Sequence, residues 1–222
     1  MIRRILFFAF LTTLPSLAYS QSKDFGIWYC INGEVKLIKH LNLDLSGNIR
    51  TFRDASKIDE SFGEVGLTYK ISKHFSLAGA YRLSDKIEND LRYHLIHKWL
   101  VSVKGGGDIG NLSISGRFML QMQKKTYMKN ADDSILYYHG RLKLAAKYKF
   151  HSFPVDPYFS FETFWPMFKP SENRIDKNRF TLGVEYKLNK RHSFQLAYIY
   201  QRDYKPHLSD INIIALGYNF KI

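Results

Sequence analysis

Apolar and polar residues alternate one for one along most of this chain. Leu41, Leu43, Leu45, Gly47 and Ile49 are interleaved with Asn42, Asp44, Ser46, Asn48 and Arg50. The same period of two runs through residues 64–71, 75–84, 112–121, 141–150, 158–165, 179–188, 194–201 and 214–222. Successive side chains on a strand point to opposite faces, so this period predicts β-strands with one apolar and one polar face. Residues 25–36 and 91–104 are strand-like but less regular. The second of these carries apolar groups on both faces, with His97 on the outward one, and a bulge there would switch the faces. No segment has a helical period.

The predicted connections alternate in length. Short basic turns fall at Leu37–His40, Ser72–His74, Gly105–Asp108, His151–Pro154 and Asn189–Arg191. Longer polar loops fall near 54–60, 85–90, 124–133, 166–177 and 203–209. An up-and-down meander with one end in the periplasm and the other outside has this rhythm. Three short turns share a motif: Lys36-Leu37-Ile38-Lys39-His40, Lys70-Ile71-Ser72-Lys73-His74 and Lys187-Leu188-Asn189-Lys190-Arg191. Tyr69, Tyr148, Tyr186 and Tyr218 stand just before the turns or the chain end and suit an aromatic girdle at one membrane interface. Tyr81, Tyr138, Trp165 and Tyr200 suit a second.

These segments reach about ten residues, the length that crosses a bilayer at a tilt; soluble strands average about five or six. Their apolar faces hold Leu, Ile, Phe, Tyr and Trp, and their polar faces hold Arg, Lys, Glu, Gln and Ser. The expected fold class is therefore all-β: an antiparallel up-and-down transmembrane β-barrel. The segments number eleven, but bacterial single-chain barrels have even numbers. A last strand ending in the periplasm would put the start of residues 25–36 on the wrong side. About ten strands are expected, with twelve as the alternative.

The tail Ile214, Leu216, Tyr218, Phe220, Ile222 resembles the C-terminal assembly signal of Gram-negative outer-membrane barrels, although it ends in isoleucine and not an aromatic residue. More broadly, residues 24–222 resemble an uncharacterised (domain-of-unknown-function) family of outer-membrane β-barrels. The segments that carry this are Asp24-Phe25-Gly26-Ile27-Trp28, Glu64-Val65-Gly66-Leu67-Thr68-Tyr69-Lys70, Pro157-Tyr158-Phe159-Ser160-Phe161-Glu162 and Thr181-Leu182-Gly183-Val184-Glu185-Tyr186-Lys187-Leu188. The resemblance implies a fold and a location and brings no activity with it.

The start of the chain agrees with that location. Arg3 and Arg4 precede the apolar run Ile5–Leu14, Pro15 breaks it, and Ala18 and Ser20 are the small residues before a cut at Gln21. Residues 1–20 read as a cleaved signal peptide, which makes 21–222 the barrel domain and the cell outer membrane its destination. The single cysteine, Cys30, excludes an internal disulfide framework and a cysteine-based zinc site.

The formal charge is +13, which favours anionic partners. The expected partners are outer-membrane lipid, lipopolysaccharide facing loop lysines such as Lys57, Lys86, Lys129, Lys169 and Lys205, and small anionic solutes. The bases are spread over turns and interior, so nucleic acid is not expected. The polar faces place Asp44, Glu64, Glu162 and Glu185 in the lumen with Arg50, Lys70, Arg82, Lys98, Arg117, Arg141, Lys143, Lys147 and Arg179. The lumen-lining candidates are Glu64, Arg82, Lys98, Arg117, Lys143, Glu162, Arg179 and Glu185. Two readings follow: a packed plug of paired charges, or a narrow anion-preferring passage.

Little else points to chemistry. Gly105-Gly106-Gly107-Asp108-Ile109-Gly110 matches G-x-G-x-x-G, but a strand follows it where a phosphate site needs a helix N-terminus. No G-x-S-x-G, H-E-x-x-H or P-loop occurs, and neither a cofactor nor a metal is expected. His151-Ser152 and His192-Ser193 keep a lipid-modifying hydrolase as an alternative, although neighbours on a strand point apart. A soluble periplasmic ligand-binding barrel is the other alternative. The function expected is that of an outer-membrane barrel without clear enzymatic chemistry, serving as a structural element or a narrow passage for small anions.

Overall fold

The computed structural model describes residues 24–88, 90–126, 137–150, 152–168, 174–204 and 208–222. The expected signal peptide, His151 and the loop lysines Lys129, Lys169 and Lys205 lie outside them.

Among the described residues eleven strands follow one another: β1 (Asp24–Ile38), β2 (Leu41–Phe52), β3 (Lys57–Lys70), β4 (Phe75–Ile87), β5 (Tyr93–Ile109), β6 (Leu112–Lys125), β7 (Tyr137–Tyr148), β8 (Val155–Met167), β9 (Lys177–Lys187), β10 (His192–Asp203) and β11 (Ser209–Lys221). Each pairs antiparallel with its neighbour in sequence, and the sheet closes on itself as a barrel. Closure abolishes the free edges that would expose unpaired N–H and C=O groups.

The strand number corrects the expectation of ten or twelve. β1 is a full strand of 15 residues. It joins β11 in a parallel ladder from Asp24↔Ile211 to Glu34↔Lys221. That one parallel seam accommodates an odd number, so β1 starts and ends at the same poles as β11. At the short-turn end the Ile222 N–H donates to the Glu34 carbonyl and the Lys36 N–H to the Ile222 carbonyl, both at 2.9 Å. The Phe220 ring lies across Gly33 in this seam, where a Cβ would stand 2.4 Å from it.

Register decides which face is enclosed. Leu45, Val65, Leu67, Leu77, Val101, Leu144, Leu182 and Leu196 lie exposed on the outside. The intervening positions face in, and Glu60, Ser84, Lys98, Ser102, Ser160 and Glu162 are buried. No bulge switches the faces in 91–104: β5 pairs without a shift to both β4 and β6. It is apolar on both sides because Ile96 (0% exposed) and Leu100 (3%) help fill the interior while Leu95, Trp99 and Val101 face out. The glycine-rich run is a hairpin: Gly105 to Ile109 extend β5, and the turn falls later than expected, at Gly110 with φ +59°.

Outward aromatic residues gather in clusters, which include Tyr81, Tyr200 and Tyr218 of the expected girdles. Tyr81 stands beside Trp99 at 5.9 Å between ring centres, and the Tyr81 hydroxyl lies 2.5 Å from His97 Nδ1. Phe161, Phe180 and Tyr200 form a second row at 4.9 and 6.4 Å. Near the other pole Tyr218 packs on His192 and Phe194 at 5.9 and 5.3 Å.

Candidate functional site in the barrel interior

Inward arginines and aromatic rings stack alternately across the lumen. The Arg82 guanidinium lies 4.0 Å from the centre of the Phe62 ring, and Arg50 lies 4.7 Å from the same ring. Arg50 is also 4.2 Å from the Trp28 ring, whose centre is 4.7 Å from Arg179. Arg179 continues to Phe164 at 5.1 Å, and Arg141 ends the row 4.6 Å from Phe164. The row therefore passes from β4 through β3, β2 and β1 to β9, β8 and β7. A guanidinium over an aromatic face gains quadrupole attraction and loses less hydration than an ammonium would. β10 and β11 contribute the buried Ala197, Ile199 and Ile213.

Carboxylates hold this row together. Glu64 receives Arg82 Nε at 2.8 Å and Nη2 at 2.6 Å. Glu60 receives Arg50 at 3.1 Å and Lys98 at 2.5 Å. Glu162, 4% exposed, receives Arg141 at 3.0 Å, Arg117 at 3.2 Å and Arg179 at 3.5 Å. Buried charges that far from bulk water have to be paired, and three pairs converge on one acid here. Arg179 also donates to Gln201 at 2.7 Å. Nearer the short-turn end Glu185 pairs with Lys147 and accepts from Ser193 at 2.7 Å. Tyr158 fits into this wall because it crosses Gly183, where a Cβ would meet the ring at 2.6 Å.

All eight lumen candidates lie on inward positions. Glu64 meets Arg82, and Glu162 meets Arg117 and Arg179, as paired charges require. Lys98 pairs with Glu60, a residue whose sequence context suggests a loop. Glu185 meets Lys147, another of the bases expected in the lumen. Lys143 stands directly opposite Glu162 on the neighbouring strand. The inward rings of Trp28, Phe62 and Phe164 are not among the expected lumen residues. Their signal is present in the chain: each lies an even number of residues from an inward arginine or glutamate on its own strand.

The belt is unbalanced. Among the described residues, the acids paired with or standing opposite Arg50, Arg82, Lys98, Arg117, Arg141, Lys143 and Arg179 in the belt are Glu60, Glu64 and Glu162. Its accessibility is uneven too. The Arg82, Arg141 and Arg179 side chains are 12–13% exposed, against 32% for Arg117 and 35% for Lys147. Arg117 and Lys147 are thus more accessible than the stacked arginines. His192 and Ser193 do not cooperate: the His192 ring turns outward to the Tyr218 hydroxyl at 2.7 Å, and Ser193 turns inward to Glu185. Among the described residues no group of three His, Cys, Asp or Glu is placed to hold a metal ion.

Comparison with known proteins agrees with the architecture. The chain is similar to a bacterial polysaccharide outer membrane secretin at 10% identity and a TM-score of 0.50, over 79% of this chain and 73% of that one. It is also similar to the β domain of the Bordetella autotransporter Brka (12% identity, TM-score 0.47, 79% and 82% covered). A third is the KdgM porin in complex with disordered oligogalacturonate (14% identity, TM-score 0.41, 74% and 84% covered). No curated protein matches significantly. The pattern of one family, described as "Protein of unknown function (DUF2490)", matches residues 25–212, and the chain belongs to that family.

Proposed function

We propose that this protein is an outer-membrane barrel, exported by a cleaved signal peptide, whose lumen is a constricted passage preferring small anions. The membrane part rests on the outer surface. Soluble monomers rarely expose apolar patches beyond a few hundred Å², whereas here large apolar side chains are exposed on every strand. Hydrocarbon is the solvent that suits such a face, and a closed sheet leaves no backbone group unpaired within it.

The single observation behind the anion preference is the surplus of cations in the central belt. In a narrow, low-dielectric lumen that surplus lowers the energy of a passing anion and raises that of a cation. The accessible Arg117 and Lys147 mark the path. The test is current through purified barrels in a planar bilayer across a potassium chloride gradient. A reversal potential with the sign of chloride preference is expected. Cation preference overturns the reading. Absence of current at every voltage would leave a sealed structural barrel, which the stacked arginines would suit.

A further inference from the structure

Cross-strand register places Lys104 of β5 opposite Arg117 of β6, and Arg117 opposite Lys143 of β7. Three cations therefore stand side by side on adjacent strands, facing inward. Neighbouring strands are about 4.8 Å apart, and like charges directly opposite one another destabilise a sheet. Elsewhere in this lumen cations are separated by rings or matched by acids. Here the next residue in the row is Glu162, which already serves Arg117, Arg141 and Arg179. Among the described residues no carboxylate stands within ion-pair distance of Lys104 or Lys143. Lys104 stands opposite Arg117 and feels the positive charges of Arg117, Lys147 and Lys221 more than the negative charge of Glu34. Arg117 and Lys147 are the accessible cations, so the row is open to a solute from the short-turn mouth.

From this geometry we infer that Lys104, Arg117 and Lys143 form a binding subsite for a doubly charged tetrahedral oxyanion, either free phosphate or the phosphoryl group of a small monoester. Two ammonium groups flank one guanidinium. The guanidinium supplies a planar fork matching two oxygens, and the lysines supply adjustable point charges for the others. A dianion relieves the three-way repulsion in a way that a single chloride does not. The subsite deepens the passage reading by naming the solute class, and the two can fail separately.

The experiment uses the full mature barrel in detergent, with inorganic phosphate as probe. Titration followed by phosphorus NMR or calorimetry is expected to show saturable binding, competed by sulfate and by glycerol phosphate and not by equimolar chloride. Each of Lys143→Gln and Lys104→Gln removes one charge-assisted hydrogen bond and should weaken binding about tenfold or more. Lys143→Arg should retain it. Lys104 lies toward the mouth, so its variant keeps the test valid if Lys143→Gln fails to show the heat-dependent gel shift of a folded barrel. No saturable binding, or binding indifferent to both Gln variants, overturns the subsite. Competition by glycerol phosphate at equal or higher affinity points to the monoester as the natural source, and its failure to compete points to free phosphate. In the bilayer, phosphate should reduce the chloride current of the parent barrel and not of the Gln variants. An anion-preferring current unaffected by phosphate removes the subsite and leaves the passage. Phosphate binding without any current does the reverse.

Discussion

Two sectors of the same lumen treat positive charge in opposite ways. In the sector built from β1–β4 and β8–β9, each guanidinium is laid against a ring or clamped by a carboxylate, as in Arg82–Phe62–Arg50–Trp28–Arg179. In one row across β5–β7, Lys104, Arg117 and Lys143 stand in line with one another, and of the three Arg117 has the ion pair, to Glu162. The first arrangement lowers the energy of the empty barrel. The second raises it, offset in part by Glu162, which Arg117 reaches at 3.2 Å and which stands opposite Lys143. Charges that neutralise one another hold the fold, whereas charges that do not are available to a visitor.

That contrast is most directly broken at Glu162. Glu162→Ala would strand Arg117, Arg141 and Arg179 together, and loss of one partner from a buried ionic cluster costs about 3–5 kcal/mol. Urea unfolding from lipid vesicles should show a larger loss than any other single substitution in the lumen, and insensitivity would mean that the cluster is hydrated. Trp28→Ala comes next. It removes a ring held between two guanidiniums, which costs about 3 kcal/mol in burial and stacking, read from the same curves. Lys104→Gln, in the open row, should change stability by less than about 0.5 kcal/mol while reducing the anion preference seen in reversal potentials. A clear loss of stability there would erase the distinction between the sectors.

The smallest effect is expected at the long-loop rim. The Asp90 carboxylate accepts from His94 Nε2 at 2.7 Å and from the Arg92 N–H at 3.1 Å. These bonds, that from His94 foremost, hold its acidity constant below the ordinary carboxylate value of 3.8. A lowered constant means that the ordering of this loop is complete above the ordinary carboxylate range and is lost as pH falls through the lowered value. Carbon-detected NMR titration of Asp90 should show the midpoint displaced downward, and Asp90→Asn should leave the lumen untouched.

The outward and inward sets are legible wherever alternation is clean, because a pleated strand translates parity into side. Parity fails where the outer position is not greasy. Ser61 and Gly63 face out beside the inward Phe62, so the pattern inverts and Glu60 reads as part of a loop. Trp28 escapes notice because an inward aromatic residue reads as membrane-facing until its arginine neighbours are known. Eleven strands are visible in the chain, but the even-number regularity of bacterial barrels argues against them. Nothing local in residues 25–36 states whether they will pair parallel or antiparallel with a tail nearly two hundred residues away. Contact between Lys143 and its neighbours is legible only as composition, since register across three hairpins fixes it.

The like-directed pairing of the first and last ribbons has a consequence for anyone rewiring the molecule. Asp24 and Lys221 sit at opposite poles. A connector joining them would have to run the height of the wall, roughly 30–40 Å for tilted strands of this size, through the lumen or along the greasy exterior. In an even-numbered cylinder a few residues would do. Joining the start of β1 to the end of β11 by a short turn is therefore barred by topology alone.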